Sequence, residues 1–288
     1  MIPLLLSVLS SSLIFVIFKL FKKFGIDTFQ AIVINYFMAA AIGFTLYGHT
    51  WNPECLEQNN WMYYAFVCAF LFIGLFLIMG KSSQLNGVAS TSIAIKMSMA
   101  ISLIFMIIGY SESVTILKVL GIALAFVGVY LVSKPSKSEN GQTSAVWMLV
   151  ALFIGGGALD FILNYVHNTQ LELLQDSLFS AIGLGLAGTI GLLILIVRYI
   201  RGNAKFEFKN VLAGIILGVP NYFSIYLLLR SYETTGWDDS TVLAITNVSV
   251  VLLSAIIGFT AFKEATTTQK IIGLISAILA ICVLYIAN

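Results

Sequence analysis

The sequence contains few charged residues and few cysteines. Only 10% of its 288 residues are charged, whereas 59% are hydrophobic; soluble domains average about 25% charged. The 15 Lys and Arg against 13 Asp and Glu give a net charge of +2, so no basic surplus indicates binding to a nucleic-acid backbone. The composition excludes a nucleic-acid-binding protein, a disulfide-stabilised secreted module and an ordinary soluble enzyme.

Motifs for catalysis and metal binding are also lacking. The three cysteines, Cys55, Cys68 and Cys282, have no metal-ligand spacing, and we interpret them as free thiols. The sequence has no Gly-x-Ser-x-Gly, His-Glu-x-x-His or phosphate-loop motif. The acidic pair Asp238 and Asp239 has no second acidic cluster to complete a metal site. We predict no catalytic residue, no metal and no cofactor, and an intramembrane enzyme is the least favoured function.

Long apolar runs dominate what is present. Each is near the length of about 20 residues that a helix needs to cross the hydrocarbon core. Because backbone groups in lipid must bond within the segment, we predict an all-α integral membrane protein with ten transmembrane helices. The predicted spans, numbered 1 to 10, are residues 2–22, 28–48, 61–83, 88–110, 115–133, 144–168, 176–200, 208–232, 238–261 and 267–286. The connections are too short for a soluble domain, so any function resides in the helix bundle.

The chain contains an internal repeat. An offset of 152 residues aligns identical residues around the starts of spans 5 and 10. The aligned pairs are Glu112 with Glu264, Thr115 with Thr267, Lys118 with Lys270, Gly121 with Gly273, and Ala125 with Ala277. We predict a first five-helix repeat over 1–134, a linker over 135–143 and a second five-helix repeat over 144–288. An odd number of spans per repeat inverts the second repeat, an arrangement typical of secondary transporters that bind substrate near the membrane midplane.

Positive charge is distributed unequally between the two membrane faces. We call the face that carries both predicted termini face A and the opposite one face B. Face A receives Lys118 and Arg230, and face B receives the other Lys and Arg residues except Lys96, which lies in mid-membrane. The positive-inside rule therefore places face B in the cytoplasm and both termini outside.

These features resemble the drug/metabolite transporter superfamily, in its EamA-type branch. The resemblance rests on the repeated Glu-Lys-Gly-Ala pattern, the small triplets Ser10–Ser12 and Gly155–Gly157 in spans 1 and 6, and Asn35-Tyr36-Phe37 in span 2. It implies ten helices, a cavity lined by spans 1, 3, 4, 6, 8 and 9, and a bacterial inner-membrane location with both termini in the cytoplasm, opposite to the charge count. Where the family usually has proline in spans 4 and 9, this chain has Lys96 and Val248.

Two charged residues lie inside predicted spans. Lys96 is eight residues into span 4, and Asp160 follows three glycines in span 6. A charge at this depth costs at least ~2.5–3.5 kcal/mol, so each should face a cavity or a partner. The alternatives are that the two residues bind substrate or a coupling proton, or that they form a structural ion pair. Asn164 and His167 continue the polar stripe from Asp160, and we expect Asn164 to face the cavity.

Neutral polar residues lie inside other spans. Asn35, Asn221 and Asn247 each need a partner, because an unbonded amide in lipid is costly. They serve either as contacts between helices or as hydrogen-bonding groups of a cavity. Tyr222 and Tyr226 lie one helical turn apart after Pro220, which predicts a kink, and we expect them to line the same cavity.

Glu112 and Glu264 lie in the corners before spans 5 and 10. We interpret both as structural acids that cap helix N-termini, where a carboxylate satisfies backbone donors and interacts with the helix dipole.

The sequence therefore predicts a secondary active transporter, an exporter or exchanger of a small polar organic metabolite such as an amino acid, working by alternating access. Its expected partners are the small-molecule substrate, the lipid bilayer and a proton as candidate coupling ion, with no nucleic acid, in a monomer or a homodimer. The alternative is a membrane sensor or scaffold that does not transport, against which the insertion cost of Lys96 and Asp160 argues.

Overall fold

The computed structural model describes residues 1–51, 54, 61–110, 115–133, 145–169, 176–203, 205–235, 239–264 and 266–287. Within these residues all regular structure is helical, apart from turns. The helices are α1 Ile2–Lys23, α2 Thr28–Tyr47, α3 Trp61–Leu85, α4 Val88–Met97, α5 Met99–Tyr110, α6 Ile116–Ser133, α7 Val146–Thr169, α8 Asp176–Ile200, α9 Phe208–Thr235, α10 Asp239–Thr260 and α11 Thr268–Ala287, with a short 3₁₀ helix at Gly48–Thr50.

Among the described residues, eight helical segments are long and apolar enough to cross a membrane, and one of them, Val88–Phe105, comprises α4 and the first part of α5. Two further apolar helices, Ile116–Val132 and Ile245–Thr260, are shorter. The all-helical class and the repeated apolar spans are thus confirmed, whereas the count of ten and the inverted repeat stay predictions. The predicted linker over 135–143 lies outside the described residues.

Helices from the two predicted repeats pack mainly against each other. The most extensive contacts join α6 to α11, α2 to α8 and α9, α1 to α9, and α3 to α7 and α8. Between α6 and α11, a Cβ atom placed on Gly128 would lie 3.2 Å from the carbonyl oxygen of Gly273. Close approach of this kind needs small residues at helix contacts, as in other membrane bundles. Ser276 donates to the carbonyl oxygen of Leu124 at 2.8 Å across the same contact.

The outer surface of the bundle is apolar. Large side chains such as Ile108, Ile116 and Ile200 are 74%, 80% and 80% exposed, which a folded chain tolerates on this scale only where lipid or another apolar partner covers the surface. The interior contains fully buried side chains such as Phe18 and Tyr36. Lipid therefore covers the exposed side chains, and the buried ones form the contacts between helices.

A polar network ties α2, α8 and α9 together at one end of the bundle. Asp27 caps α2 by accepting hydrogen bonds from the N–H groups of Phe29 and Gln30 at 2.9 and 3.3 Å. Its own N–H donates to Oδ1 of Asn210 at 3.0 Å, and its carboxylate pairs with Arg198 at 3.3 Å. Asn210 also donates to Oε1 of Gln30 at 3.0 Å. Since α1 ends and α11 begins at this end, it corresponds to face B.

Candidate functional site

The predicted span 88–110 is interrupted at Ser98. Helix α4 ends at Met97 and α5 begins at Met99. Oγ of Ser98 lies 2.6 Å from the carbonyl oxygen of Ile95, one turn earlier in the same helix. A serine hydroxyl that bonds back to its own helix competes with the backbone ladder and bends the helix. The predicted span nevertheless agrees with one candidate membrane span over Val88–Phe105, and Lys96 lies two residues before the break.

Two glycines of α7 bring Asp160 to this break. A Cβ atom placed on Gly156 would lie 2.8 Å from Oγ of Ser98, and one on Gly157 would lie 2.6 Å from the carbonyl oxygen of Ser98. Only glycine permits this approach of the two backbones. One turn further along α7, Oδ2 of Asp160 accepts a hydrogen bond from Oγ of Ser98 at 3.2 Å.

Lys96 and Asp160 are both accessible although both lie deep within the bundle. Asp160 is exposed and Lys96 is half-buried, so neither side chain is enclosed by protein. The two charges attract each other electrostatically, but among the ion pairs of the described residues there is none between them. Each charge therefore retains bonding capacity for a third group.

Asn247 approaches the break from α10. Its Nδ2 lies 3.7 Å from the sulfur atom of Met99, the first residue of α5. The break is thus flanked by α7 with Asp160 and by α10 with Asn247. Of the residues that the sequence singled out, these two and Lys96 converge on one place.

Asn35 and Asn221 form a second polar contact, between α2 and α9. Nδ2 of Asn221 donates to Oδ1 of Asn35 at 3.2 Å. Both residues are buried, and Nδ2 of Asn35 has no hydrogen-bond partner. Ser7 of α1 donates to the carbonyl oxygen of Ser224 at 2.8 Å, which adds a third helix to this polar layer. The layer is formed by α1, α2 and α9, and none of these helices forms the Ser98 break.

Tyr222 and Tyr226 stack on each other on α9. Their ring centroids are 6.2 Å apart and the planes differ by 17°. Tyr222 is buried, and a Cβ atom placed on Gly43 of α2 would lie 3.0 Å from its ring. Tyr226 is half-buried. Tyr222 thus packs between helices, and Tyr226 has the greater access to solvent.

The remaining expected site residues fall into two groups. Glu112 and the side chain of Asn164 lie outside the described residues. Glu264 caps the N-terminus of α4. The N–H of Val88, the first residue of α4, donates to Oε1 of Glu264 at 2.7 Å. The capping helix expected from its place in the chain was α11. The chain from Ala261 to Glu264 folds back towards α4, and the N–H of Glu264 donates to the carbonyl oxygen of Gly258 at 3.0 Å.

Sequence reasoning missed Ser98 and the ion pair between Lys19 and Glu264, whose atoms are 3.3 Å apart. Ser98 lies two residues from Lys96 in an apolar stretch, but serine occurs in many unbroken helices, so its type alone did not single it out. The ion pair joins residues too far apart in sequence to be matched by spacing.

The fold defines a multi-pass integral membrane protein with polar groups gathered inside its helix bundle. Residues 1–134 match the model of the EamA-like transporter family, which belongs to the drug/metabolite transporter superfamily, and this match confirms the resemblance described for the sequence. The match indicates a membrane transporter.

Similarity to known proteins extends along nearly the whole chain. An uncharacterised protein of Haemophilus influenzae is 24% identical over 288 residues, covering 98% of this chain and 97% of the relative. One solved crystal structure aligns over 96% of both chains with a TM-score of 0.57 and 12% identity. At this identity the second similarity shows a shared fold.

Proposed function

We propose that the protein is a secondary active transporter, an exporter or exchanger, of a small polar organic metabolite that carries a carboxylate, such as an amino acid. The observation that carries the proposal is the Ser98 break, where Lys96 and Asp160 remain accessible without a direct ion pair. Lys96 binds the anionic group of the solute. Asp160, oriented by Ser98, binds its cationic or hydrogen-bond-donating group, and Asn247 supplies a further hydrogen bond.

The energetic argument concerns two charges deep in a membrane protein. Each costs at least ~2.5–3.5 kcal/mol to insert, and a structural pair would offset this cost by direct contact. These two side chains attract each other without such contact, and a solute with one charge of each sign satisfies both. A proton on Asp160 offers a second way to neutralise it during the transport cycle.

Alternating access is supported by the packing between repeats. The contact of α2 with α9 has its counterpart in the contact of α8 with α3, as expected when the predicted repeats 1–134 and 144–288 exchange equivalent surfaces. The region that matches the family, residues 1–134, coincides with the predicted first repeat. In this mechanism the repeats rock about the break and open it to one face at a time, in a bacterial inner membrane.

The test is the melting temperature of the purified protein with a panel of amino acids, sugar phosphates, nucleotide precursors and amphiphilic cations. A ligand that binds only the folded state raises this temperature by mass action. We expect amino acids or related carboxylates to stabilise the native protein and to fail with Lys96→Ala. The matched control is Lys81→Ala, which removes an exposed lysine of α3 and leaves the response unchanged. An equal response of Lys96→Ala and the native protein would refute the assignment.

Flux distinguishes transport from sensing. Proteoliposomes loaded with the stabilising solute should exchange it with labelled solute outside, and Lys96→Ala should abolish this exchange. Binding without any exchange would instead favour the sensor.

A further inference from the structure

Glu264 holds the end of α4 that lies opposite to the Ser98 break. Its Oε1 accepts a hydrogen bond from the N–H of Val88 at 2.7 Å, and Oε2 accepts a longer one from Ala89 at 3.4 Å. These are the first two residues of α4, whose N–H groups have no partner within the helix. A carboxylate there also interacts favourably with the helix dipole.

Lys19 of α1 completes the contact. Its Nζ lies 3.3 Å from Oε1 of Glu264, and the two side chains are 22% and 6% exposed, so the pair is largely shielded from water. Lys270 of α11 adds electrostatic attraction to the same carboxylate. The carboxylate therefore joins α1 and α4 of the first predicted repeat to the second repeat, at face B.

Two glycines enclose the carboxylate. A Cβ atom placed on Gly87 would lie 2.5 Å from Oε2 of Glu264, and one placed on Gly258 would lie 2.8 Å from it. Gly87 also has φ +98°, a conformation that other residues rarely adopt. The position of Glu264 is thus defined from both sides, which a loosely held surface ion pair does not require.

Helix α4 is consequently held at both ends by acids of the second repeat. Glu264 binds its first turn, and Asp160 binds Ser98 just beyond its last residue. The helix has ten residues and a length of about 15 Å, which spans the distance from face B to the candidate site. A short helix fixed at both ends moves as a unit.

We infer that Glu264 and Lys19 form the closed gate at face B and that Glu264, acting through α4, is a positioning residue for Lys96. Opening face B separates Glu264 from the first turn of α4 and shifts the segment that carries Lys96 and Ser98. Access and binding are thereby linked through one helix. The inference rests on the proposed transport function, since only a transporter needs this face to open.

The test uses a reporter cysteine at Ser92, a buried residue of α4. Ser92 lies three residues after Ala89 and four before Lys96, so all three share one side of the helix. In a background without Cys55, Cys68 and Cys282, a charged, membrane-impermeant thiol reagent is applied to each side of sealed vesicles. The variant Asn203→Cys, exposed at face B, identifies which side is face B.

We expect Ser92→Cys to react slowly from face B, and Glu264→Gln to raise that rate about tenfold or more by shifting the equilibrium towards the open state. Glutamine keeps an acceptor oxygen for Val88 but loses the charge. The matched control Glu207→Gln removes an exposed acid that pairs with the nearby Lys209 at 2.8 Å, and the rate should stay unchanged. If Glu264→Gln does not fold, Lys19→Gln provides the same measurement. An unchanged rate overturns the gate.

A charge swap separates positioning from simple attraction. In the double variant Lys19→Glu with Glu264→Lys the two charges still attract, but lysine has no acceptor for the Val88 N–H. We expect the swap to remain as reactive as Glu264→Gln, and a return to the slow native rate would overturn the positioning role. The ligand-induced rise in melting temperature is measured in parallel. If it persists while the gate test fails, the gate is wrong and the transport proposal stands.

Discussion

Oγ of Ser98 donates a hydrogen bond to Oδ2 of Asp160 at 3.2 Å, across 62 residues of sequence. The contact fixes the carboxylate of α7 against the interrupted helix that carries Lys96. The single proton of this hydroxyl is shared with the carbonyl oxygen of Ile95, which lies 2.6 Å from the same Oγ. One small side chain therefore interrupts a transmembrane helix and orients the acid beside it.

Removing this hydroxyl should weaken solute binding. Ser98→Ala takes away a hydrogen bond to a charged group, which contributes about 1.5–3 kcal/mol, and we expect the dissociation constant to rise at least tenfold in isothermal titration with the stabilising solute. Ser102→Ala, at a buried serine one turn further along α5, serves as the control and should bind as the native protein does. If Ser98→Ala and Ser102→Ala bind the solute with equal affinity, the hydrogen bond from Ser98 to Asp160 does not contribute to binding.

The close approach of α7 to the break should depend on Gly157. Gly157→Ala puts a methyl group 2.6 Å from the carbonyl oxygen of Ser98, and overpacking of this kind costs about 1–3 kcal/mol. We expect a lower melting temperature and reduced solute binding. Gly74→Ala is the comparison, because no atom lies within 4 Å of a Cβ atom placed there. A melting temperature of Gly157→Ala as high as that of Gly74→Ala would contradict the tight contact.

Asn35 and Asn221 should depend on each other for stability. In a double-mutant cycle with Asn35→Ala and Asn221→Ala, the second substitution should cost less once the first is present, because the hydrogen bond at 3.2 Å is already lost. Coupling of buried hydrogen bonds in membrane bundles averages about 0.6 kcal/mol, and reversible unfolding in detergent measures it. Strictly additive costs would indicate that the two amides act separately, as expected if each binds the solute.

Asn210 should stabilise face B. Asn210→Ala removes the acceptor of the Asp27 N–H and the donor to Gln30, leaving buried groups unsatisfied, at a cost of about 1–3 kcal/mol. The melting temperature should fall clearly, whereas Asn203→Ala, at an exposed position of the adjacent turn, should leave it unchanged. If the two variants have the same melting temperature, the polar network around Asn210 does not contribute to stability.

The positions of the helices follow from the sequence, because apolar length alone specifies a span in lipid. The predicted 61–83 and 176–200 correspond to Trp61–Leu85 and Asp176–Ile200. The break at Ser98 was not predictable, since serine occurs in many unbroken helices and this one is interrupted where the glycines of α7 pack against it. Glu264 shows a second limit: its acidic type indicates a cap, but only the tertiary fold determines which helix N-terminus it reaches.

Lys96 shows what single residues do reveal. A charge in an apolar run has few tolerated environments, so its type and depth predict that it faces a cavity or a partner. The partners of that site come from α7 and α10, which no spacing along the chain brings together. Asn35 and Asn221 were ambiguous for the same reason, because an amide in a span is satisfied equally well by a helix or by a solute.

The hydrogen bond between the Asp27 N–H and Asn210 joins residues 183 positions apart. A ribosome adding about 5–20 residues per second reaches Asn210 about 10–40 s after Asp27. During that interval the start of α2 is already in the membrane without this partner, and Arg198 is also still to be made. Until the second five predicted spans are inserted, the first five therefore lack these hydrogen-bond and ion-pair partners at face B. Biogenesis of this protein thus depends on a membrane that tolerates a half-finished bundle for tens of seconds, and chain truncation after the first predicted repeat should yield a product that the cell degrades.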